Sequence, residues 1–348
     1  MSLKAKVMLK IIETGLLPDK LIRLWINNLC SQADNRAALG DIEARHAVYR
    51  QIVKDLRAGV AIKHRNVLQE QLCEMEVEFY RFFLGKRLLE SCCYFPTGAE
   101  DLDEAEETML WMSADRARIR DGMEVLELGC GWGAMTFWLA RQYPEIKITA
   151  VIDSVTREIS IQKRIHELHL KNVKVVTCDF EDLQYEKKFD RVICIERFDY
   201  LSANADWQAR VAGMLKDDGK FFVQMPLHQD YAFYFDSVGL ESLPGNVIMS
   251  RKLMLSADMP LLFQKHFCIG DFWKISGEHY QQTAEKRLKK FYFNRLGILP
   301  QLEKAYGKKN AWIWFQRWRC SLLTRSELCG YNRGQNYIVG QYLFNKKP

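Results

Sequence analysis

The chain has 348 residues, 48% of them hydrophobic and 12% aromatic, and 50 Lys and Arg against 44 Asp and Glu give a formal net charge of +6. This composition excludes a disordered chain, and the length allows one large domain or two small ones, each with ample core. The basic residues are dispersed apart from clusters at 286–290 and 346–347, and no aromatic RNA-reading signature accompanies them, so nucleic-acid binding is not expected.

In chain order, Leu9 to Thr14, Asp19 to Leu29, Ile42 to Gly59 and Leu68 to Phe83 place apolar residues at helical spacing. The region 1–102 therefore reads as a helical lid or brace. Its first segment mixes Leu, Ile and basic residues amphipathically, which leaves weak attraction to anionic membrane surfaces open. A core follows over 103–225. Its first strand runs through Val125, Leu126, Glu127 and Leu128 and opens at Gly129, Gly131 and Gly133 into the apolar helical spacing of Met135, Trp138 and Leu139. Glycines at a strand-to-helix turn let the backbone approach a nucleotide closely. A dinucleotide fold, however, places its third glycine three positions after the second and holds a pyrophosphate at the helix N-terminus. Here Gly133 comes two after Gly131, and the carboxylate of Glu127 would repel a pyrophosphate but suits the ammonium of an amino acid moiety, directly or through water. The turn points to S-adenosylmethionine, and both features disfavour a dehydrogenase.

The next strand, Lys147 to Ile152, ends at Asp153, placed to accept both ribose hydroxyls, a feature that NAD enzymes share. A third, Val173 to Thr177, leads to Asp179 and Phe180, where Asp179 could accept the adenine amino hydrogen and Phe180 could offer its backbone or ring. Arg191 to Ile195 forms a fourth strand ending at Glu196. Lys220 to Met225 is a fifth, after the turn at Asp217, Asp218 and Gly219. Helical stretches at Glu158 to His169 and Trp207 to Leu215 alternate with these strands and predict a parallel α/β sheet covered on both faces. Beyond it, 226–348 is expected to hold a substrate-pocket insertion and the final strands. Within it, Ser250 to Ile269 interrupts the sheet pattern, Glu278 to Leu296 and Lys304 to Leu328 read as helices, and Tyr337 to Phe344 reads as a strand. The ten cysteines show no CxxC pairs, no metal motif is present, and there is neither a secretory signal nor an apolar run of about eighteen residues. Free thiols in a reducing cytoplasm are expected.

Flanking motifs extend this pattern. Ser91, Cys92, Cys93, Tyr94 and Phe95 precede LDEAEETML; ELGCGWGA, IERFDYL, SGEHYQQT and the tail GYNRGQNY follow. Over roughly residues 70–348 the chain resembles the cyclopropane-fatty-acid-synthase-like methyltransferases, and within them the coclaurine N-methyltransferase group. The resemblance implies a seven-stranded, Rossmann-like class I methyltransferase fold with S-adenosylmethionine as methyl donor. It also implies that Ser91 and Tyr94 lie in the loop closing over the cofactor, that Gly129 belongs to the glycine turn, that Asp153 contacts the ribose, and that Asp179 and Phe180 contact the adenine. Arg157 stands where relatives often have Gln. In the N-methyltransferase relatives the catalytic segment reads like ELFEHM, whereas here Glu196 is followed by Asp199 and Tyr200, with Tyr200 in place of the histidine. Cyclopropane-forming relatives place a histidine at the end of the fifth strand, where this chain is read to have Met225. Trp318 matches a pocket tryptophan of the amine-methylating relatives.

A protonated amine has no lone pair, so an N-methyltransferase has to bind or generate the neutral form, and a carboxylate can orient it and accept its proton. Glu196 and Asp199 suit that task, with Tyr200 as a hydrogen-bond donor or stacking surface. His228, His279 and Tyr280 are further candidates for the substrate pocket. The first reading is an S-adenosylmethionine-dependent N-methyltransferase acting on a small amine, as monomer or homodimer. Lipid modification of the cyclopropane synthase type and a non-catalytic methyltransferase-like binding protein are the alternatives.

Overall fold

The computed structural model describes residues 3–58, 75–178, 183, 185–196, 205–244, 253–262 and 264–347. Its frame is a seven-stranded sheet. Strands β1 (Glu124–Leu128), β2 (Lys147–Ile152), β3 (Val173–Thr177), β4 (Phe189–Ile195) and β5 (Leu215–His228) are parallel. A two-stranded ribbon pairs β6 (Phe233–Tyr234) with β7 (Leu253–Met254), and β8 (Phe267–Ile275) and β9 (Tyr337–Lys346) return to the main sheet in the order β3-β2-β1-β4-β5-β9-β8. β9 is antiparallel to both its neighbours. The expected α/β sheet is thus present, with β8 as an addition: its first three residues lie in the stretch read as an interruption, and no alternation marks it.

Successive side chains of a strand point to opposite faces. Val125 joins a core with Leu102, Met109, Met135 and Trp138, from helices α5 (Leu102–Arg116) and α6 (Ala134–Gln142). Leu126 and Leu128 face the other way, onto Ile52, Val53 and Leu56 of α3 (Ile42–Arg57) and Trp207 of α8 (Ala205–Met214). α7 (Val155–Glu167) connects β2 to β3. The LDEAEETML motif has a local explanation. Asp101 accepts from the Glu104 backbone N–H at 2.9 Å while the Glu104 side chain accepts from the Asp101 N–H at 2.8 Å, a reciprocal cap that fixes where α5 starts.

A second group of helices forms a core that takes in Trp132 beyond β1, Phe233 beyond β5 and Tyr337 at the start of β9. α1 (Leu3–Thr14), α2 (Asp19–Ala37) and the single turn α4 (Val77–Arg81) share an apolar core with α10 (Gly277–Phe293), α11 (Arg295–Tyr306) and α12 (Lys308–Gly330); α9 (Phe235–Val238) closes it. The stretch read as one helix over Lys304–Leu328 is two, because Gly307, at φ 79°, breaks the chain between α11 and α12.

One stripe of α10 holds the segment 89–95 against the sheet. His279 Nδ1 accepts from the Phe95 N–H at 3.2 Å, and Thr283 Oγ1 accepts from the Cys93 N–H at 3.0 Å. The Arg287 guanidinium donates to the carbonyls of Leu89, Glu90 and Ser91 at 2.6–2.9 Å. Residues four apart lie on one helix face, so one side of α10 satisfies a whole strip of loop backbone. Arg287 is 2% exposed. Glu106 on α5 is fully buried beside it and accepts from the N–H groups of Gly85 and Arg87, both at 2.9 Å. Burial pushes the Glu106 carboxyl up to about 7, against the pull of Arg287 and of those two amides.

Two outcomes follow from this cluster. Arg287→Met strands three buried carbonyls and is expected to cost about 3 kcal/mol or more in urea unfolding. Between about pH 4.5 and 7 the folded protein keeps a proton on Glu106 that the unfolded chain releases, so this carboxyl's contribution to stability falls as pH rises through that window, by up to about 3 kcal/mol. Urea midpoints across that range should show a shallower fall in Glu106→Gln; an unchanged slope would remove Glu106 as its source.

Candidate active site

The glycine turn sits at the C-terminal edge of β1, where a doubly wound sheet binds its ligands. The N–H groups of Gly129 and Cys130 both donate to the Val151 carbonyl, at 3.0 and 3.1 Å, and tie the turn to β2. Gly133 has φ 79°, and a Cβ there would lie 2.5 Å from the Phe137 ring, so this position admits no side chain. At Gly131, φ is 57° and a Cβ would come within 2.8 Å of a Glu90 carboxylate oxygen. Glu127 is 4% exposed and accepts from the Thr136 hydroxyl. Burial pushes its carboxyl up to about 7 although Thr136 opposes the shift, and no described cation forms an ion pair with it. Asp153 follows β2 directly, ahead of Ser154, whose hydroxyl caps α7. Asp179 and Phe180 lie outside the described residues.

Arg157 is committed to a partner that sequence reasoning did not find. Its guanidinium grips Glu90 through two bonds, at 2.6 and 2.9 Å, and lies over the Trp132 ring at 4.7 Å. Glu90 carries no motif signal, since it is one acid in a loop whose position depends on α10. Next to it, Ser91 is 6% exposed and its hydroxyl oxygen is buried with no hydrogen-bond partner. Such a group costs free energy until a ligand satisfies it. A backbone turn that leaves no room for side chains, a cation-free buried carboxyl at Glu127 and the orphan hydroxyl of Ser91 together fit S-adenosylmethionine, whose amino acid part carries both an ammonium and a carboxylate. Tyr94, from the same loop, stacks on His279 at 4.2 Å.

Glu196 is the first of the three residues expected to act on the acceptor. It lies one residue beyond β4 in the left-handed region, φ 55°, with its N–H donating to the Gln224 carbonyl at 2.7 Å. A non-glycine residue held there costs about 1 kcal/mol or more, so its surroundings have to over-determine it. They do: Oε1 accepts from the Cys92 N–H at 3.0 Å and Oε2 from the Tyr280 hydroxyl at 2.6 Å. Burial, strengthened by Glu196 and opposed by Arg325, drives the Tyr280 phenol well above its ordinary range, so it remains a donor. The structure thereby brings Glu196 and Tyr280 together and adds Cys92 through its backbone, which no side-chain motif could have announced. Asp199 and Tyr200 lie outside the described residues.

A small, partly open cavity of about 20 Å³ lies beside Tyr280. Pro226, Leu227, Met254, Leu328, Cys329, Tyr337 and Ile338 line it with Tyr280 and Arg325. Arg325 was not singled out in the sequence, where it is one of many dispersed basic residues.

Three residues expected in the pocket have partners within the protein. Burial lowers the pKa of His279, whose Nδ1 accepts from the Phe95 N–H. His228 is fully buried, and its Nδ1 accepts from the N–H groups of Asp230 and Tyr231 at 3.1 and 2.9 Å. That places the ring proton on Nε2, which faces Asp34 at 3.5 Å. β5 runs three residues past Met225, so its last residue is His228 and not Met225, a correction to the strand end read from apolar pattern alone. Trp318 is 7% exposed in an aromatic cluster with Phe79, Phe83 and Tyr80, at 4.9, 5.6 and 5.9 Å between ring centroids, and does not line the cavity. Tyr80 continues the cluster to Trp132 of the glycine turn at 5.0 Å.

Among the described residues no group of His, Cys, Asp or Glu is placed to hold a metal ion, and no helix is long and apolar enough to cross a membrane. The family description "Mycolic acid cyclopropane synthetase" matches residues 63–235. The chain is 31% identical to (S)-coclaurine N-methyltransferase of Papaver somniferum over 356 aligned positions spanning all of both chains. It is 29% identical to the enzyme of the same name from Thalictrum flavum subsp. glaucum, over 98% of this chain and 95% of that one. A crystal structure of coclaurine N-methyltransferase bound to N-methylheliamine and S-adenosylhomocysteine superposes with a TM-score of 0.91 at 29% identity, covering 97% of this chain and 99% of that chain. Full-length similarity, the glycine turn and a carboxylate held at the end of β4 agree: the chain belongs to the cyclopropane-synthase-like methyltransferases, within the group of the coclaurine N-methyltransferases, and is an S-adenosylmethionine-dependent N-methyltransferase.

Proposed function

We propose that the chain methylates the nitrogen of a small aromatic amine, with Glu196 as the group that orients the amine and takes up its proton. The observation that carries this reading is the fixed carboxylate of Glu196, held by the Cys92 N–H and the Tyr280 hydroxyl beside the cavity. A carboxylate oxygen has two lone-pair sites, so each Glu196 oxygen keeps one for an amine N–H after accepting from the protein. S-adenosylmethionine supplies an electrophilic methyl group on a sulfonium. The amine lone pair forms the new N–C bond as the C–S bond breaks, the bond's electron pair stays on sulfur, and the amine proton passes to Glu196. Ser91, Glu127, Gly129, Gly131 and Asp153 are assigned to cofactor binding, with Asp179 and Phe180 at the adenine and Tyr94 on the covering loop. Asp199 and Tyr200 are assigned to the acceptor side with Glu196, and Tyr280 positions Glu196.

Aromatic acceptors are favoured by the relatives, which are named for coclaurine and pavine, and by the rings of Tyr280 and Tyr337 in the cavity lining. We also assign the chain to the cytoplasm, because its nine described cysteines are free thiols.

A methyl-transfer assay with labelled S-adenosylmethionine and a panel of primary, secondary and tertiary aromatic amines tests the reading; label found only in phospholipid vesicles run alongside would replace it. Glu196→Ala is expected to lower turnover more than about tenfold with cofactor affinity nearly unchanged in calorimetry. Tyr280→Phe, which removes one bond to Glu196, should lower turnover about fivefold. Unchanged turnover in Glu196→Ala would take Glu196 out of the reaction.

A further inference from the structure

The cavity beside Tyr280 carries one charged side chain. Its lining is apolar or phenolic except for Arg325, and it contains no carboxylate. The Arg325 guanidinium lies 5.2 Å from the centroid of the Tyr280 ring, on the residue whose hydroxyl holds Glu196. Arg23, Arg317 and Arg319 of this helical body are neutralised at contact distance, by Glu285 and Glu327, by Glu13 and by Asp19, whereas Arg287 is satisfied by three backbone carbonyls. Among the described residues Arg325 has no such ion pair. It feels Glu196 and Glu90 through space, and burial, which disfavours its charge, is outweighed by Tyr280 and these acids, so the guanidinium stays charged. Unlike Arg287, Arg325 donates to no carbonyl or carboxylate among the described residues, and a part-buried guanidinium left so is favoured by a ligand whose carboxylate matches its planar fork through two parallel bonds.

We propose that the methyl acceptor is an amine carrying a carboxylate on the same small skeleton, with the carboxylate bound by Arg325 and the nitrogen presented to Glu196. This rests on the N-methyl reading above and narrows it to amino-acid-type amines. The arrangement solves two problems at once. A carboxylate-bearing amine enters with no net charge, so a cation at the cavity does not repel it. Once it is bound, its carboxylate supplies the contacting anion that Arg325 lacks among the described residues, and the uptake of the amine proton is left to Glu196.

The test uses matched acceptors with and without the carboxylate: phenylalanine and phenethylamine, tyrosine and tyramine, tetrahydroisoquinoline-3-carboxylic acid and tetrahydroisoquinoline. Methyl transfer from labelled S-adenosylmethionine is measured for the full chain, Arg325→Gln and Arg325→Lys, with cofactor affinity by calorimetry as the check on folding. In the unaltered chain the acid member of a pair is expected to have a kcat/KM more than tenfold above its partner. Arg325→Gln should lower the acid's value about 30-fold or more and the plain amine's less than threefold, while Arg325→Lys should keep part of the preference. Transfer confined to the plain amines, or equal losses for both members in the two variants, would overturn the proposal. The preference of the unaltered chain decides the matter even if Arg325→Gln does not fold. Label on neither member of any pair would instead overturn the N-methyl reading on which it depends.

Discussion

Arg287 carries its charge almost entirely out of water, and the carbonyls of Leu89, Glu90 and Ser91 take the place of the water it has lost. The active site depends on that exchange. The three carbonyls belong to a segment without regular secondary structure, which could not order itself at a cost of about 1–2 kcal/mol per residue without an external template. Once the segment is in place, Ser91 presents a buried hydroxyl, Glu90 meets Arg157 over Gly131, and the Cys92 N–H reaches Glu196. One helix face therefore organises the cofactor side and the acceptor side together.

The same template explains the conformation of Glu196. Its backbone sits in a region that L-residues avoid, held by the Gln224 carbonyl on one side and by two donors to its carboxylate on the other. Tyr280 donates one of those bonds from the α10 turn that also carries His279, so the helix that clamps the loop also aims the carboxylate. In its proposed role as proton acceptor, Glu196 would benefit from such rigidity, because the geometry required for in-line transfer leaves little tolerance.

Charge is distributed unevenly across the site. Glu90 neutralises Arg157 beside the glycine turn, and Asp34 faces His228 behind β5. Glu127 and Arg325 are left without contacting counter-charges among the described residues, the first beneath the cofactor turn and the second beside the acceptor cavity. Each is a site where a ligand of opposite charge would bring the free energy down, and the two ligands of a methyl transfer are the groups available to do so.

The sequence by itself determined the sheet, the nucleotide turn and the cofactor. Strand periodicity, Gly133 against Phe137, and Asp153 beyond β2 are local features, and local features are legible because a turn or a strand end imposes its own residue types. The motif GEHYQQT was visible, but not that His279 and Thr283 bind loop amides, since a histidine's partners are chosen by what packs against it. β8 carried too little alternation to be read, and the end of β5 was placed three residues early. Glu90 and Arg325 were hidden for a further reason. A lone acid in a loop and a lone base in a helix look the same in sequence whether they face solvent, an ion pair or a cavity, and only the packing of α10 and α12 around the sheet decided which of these each would meet.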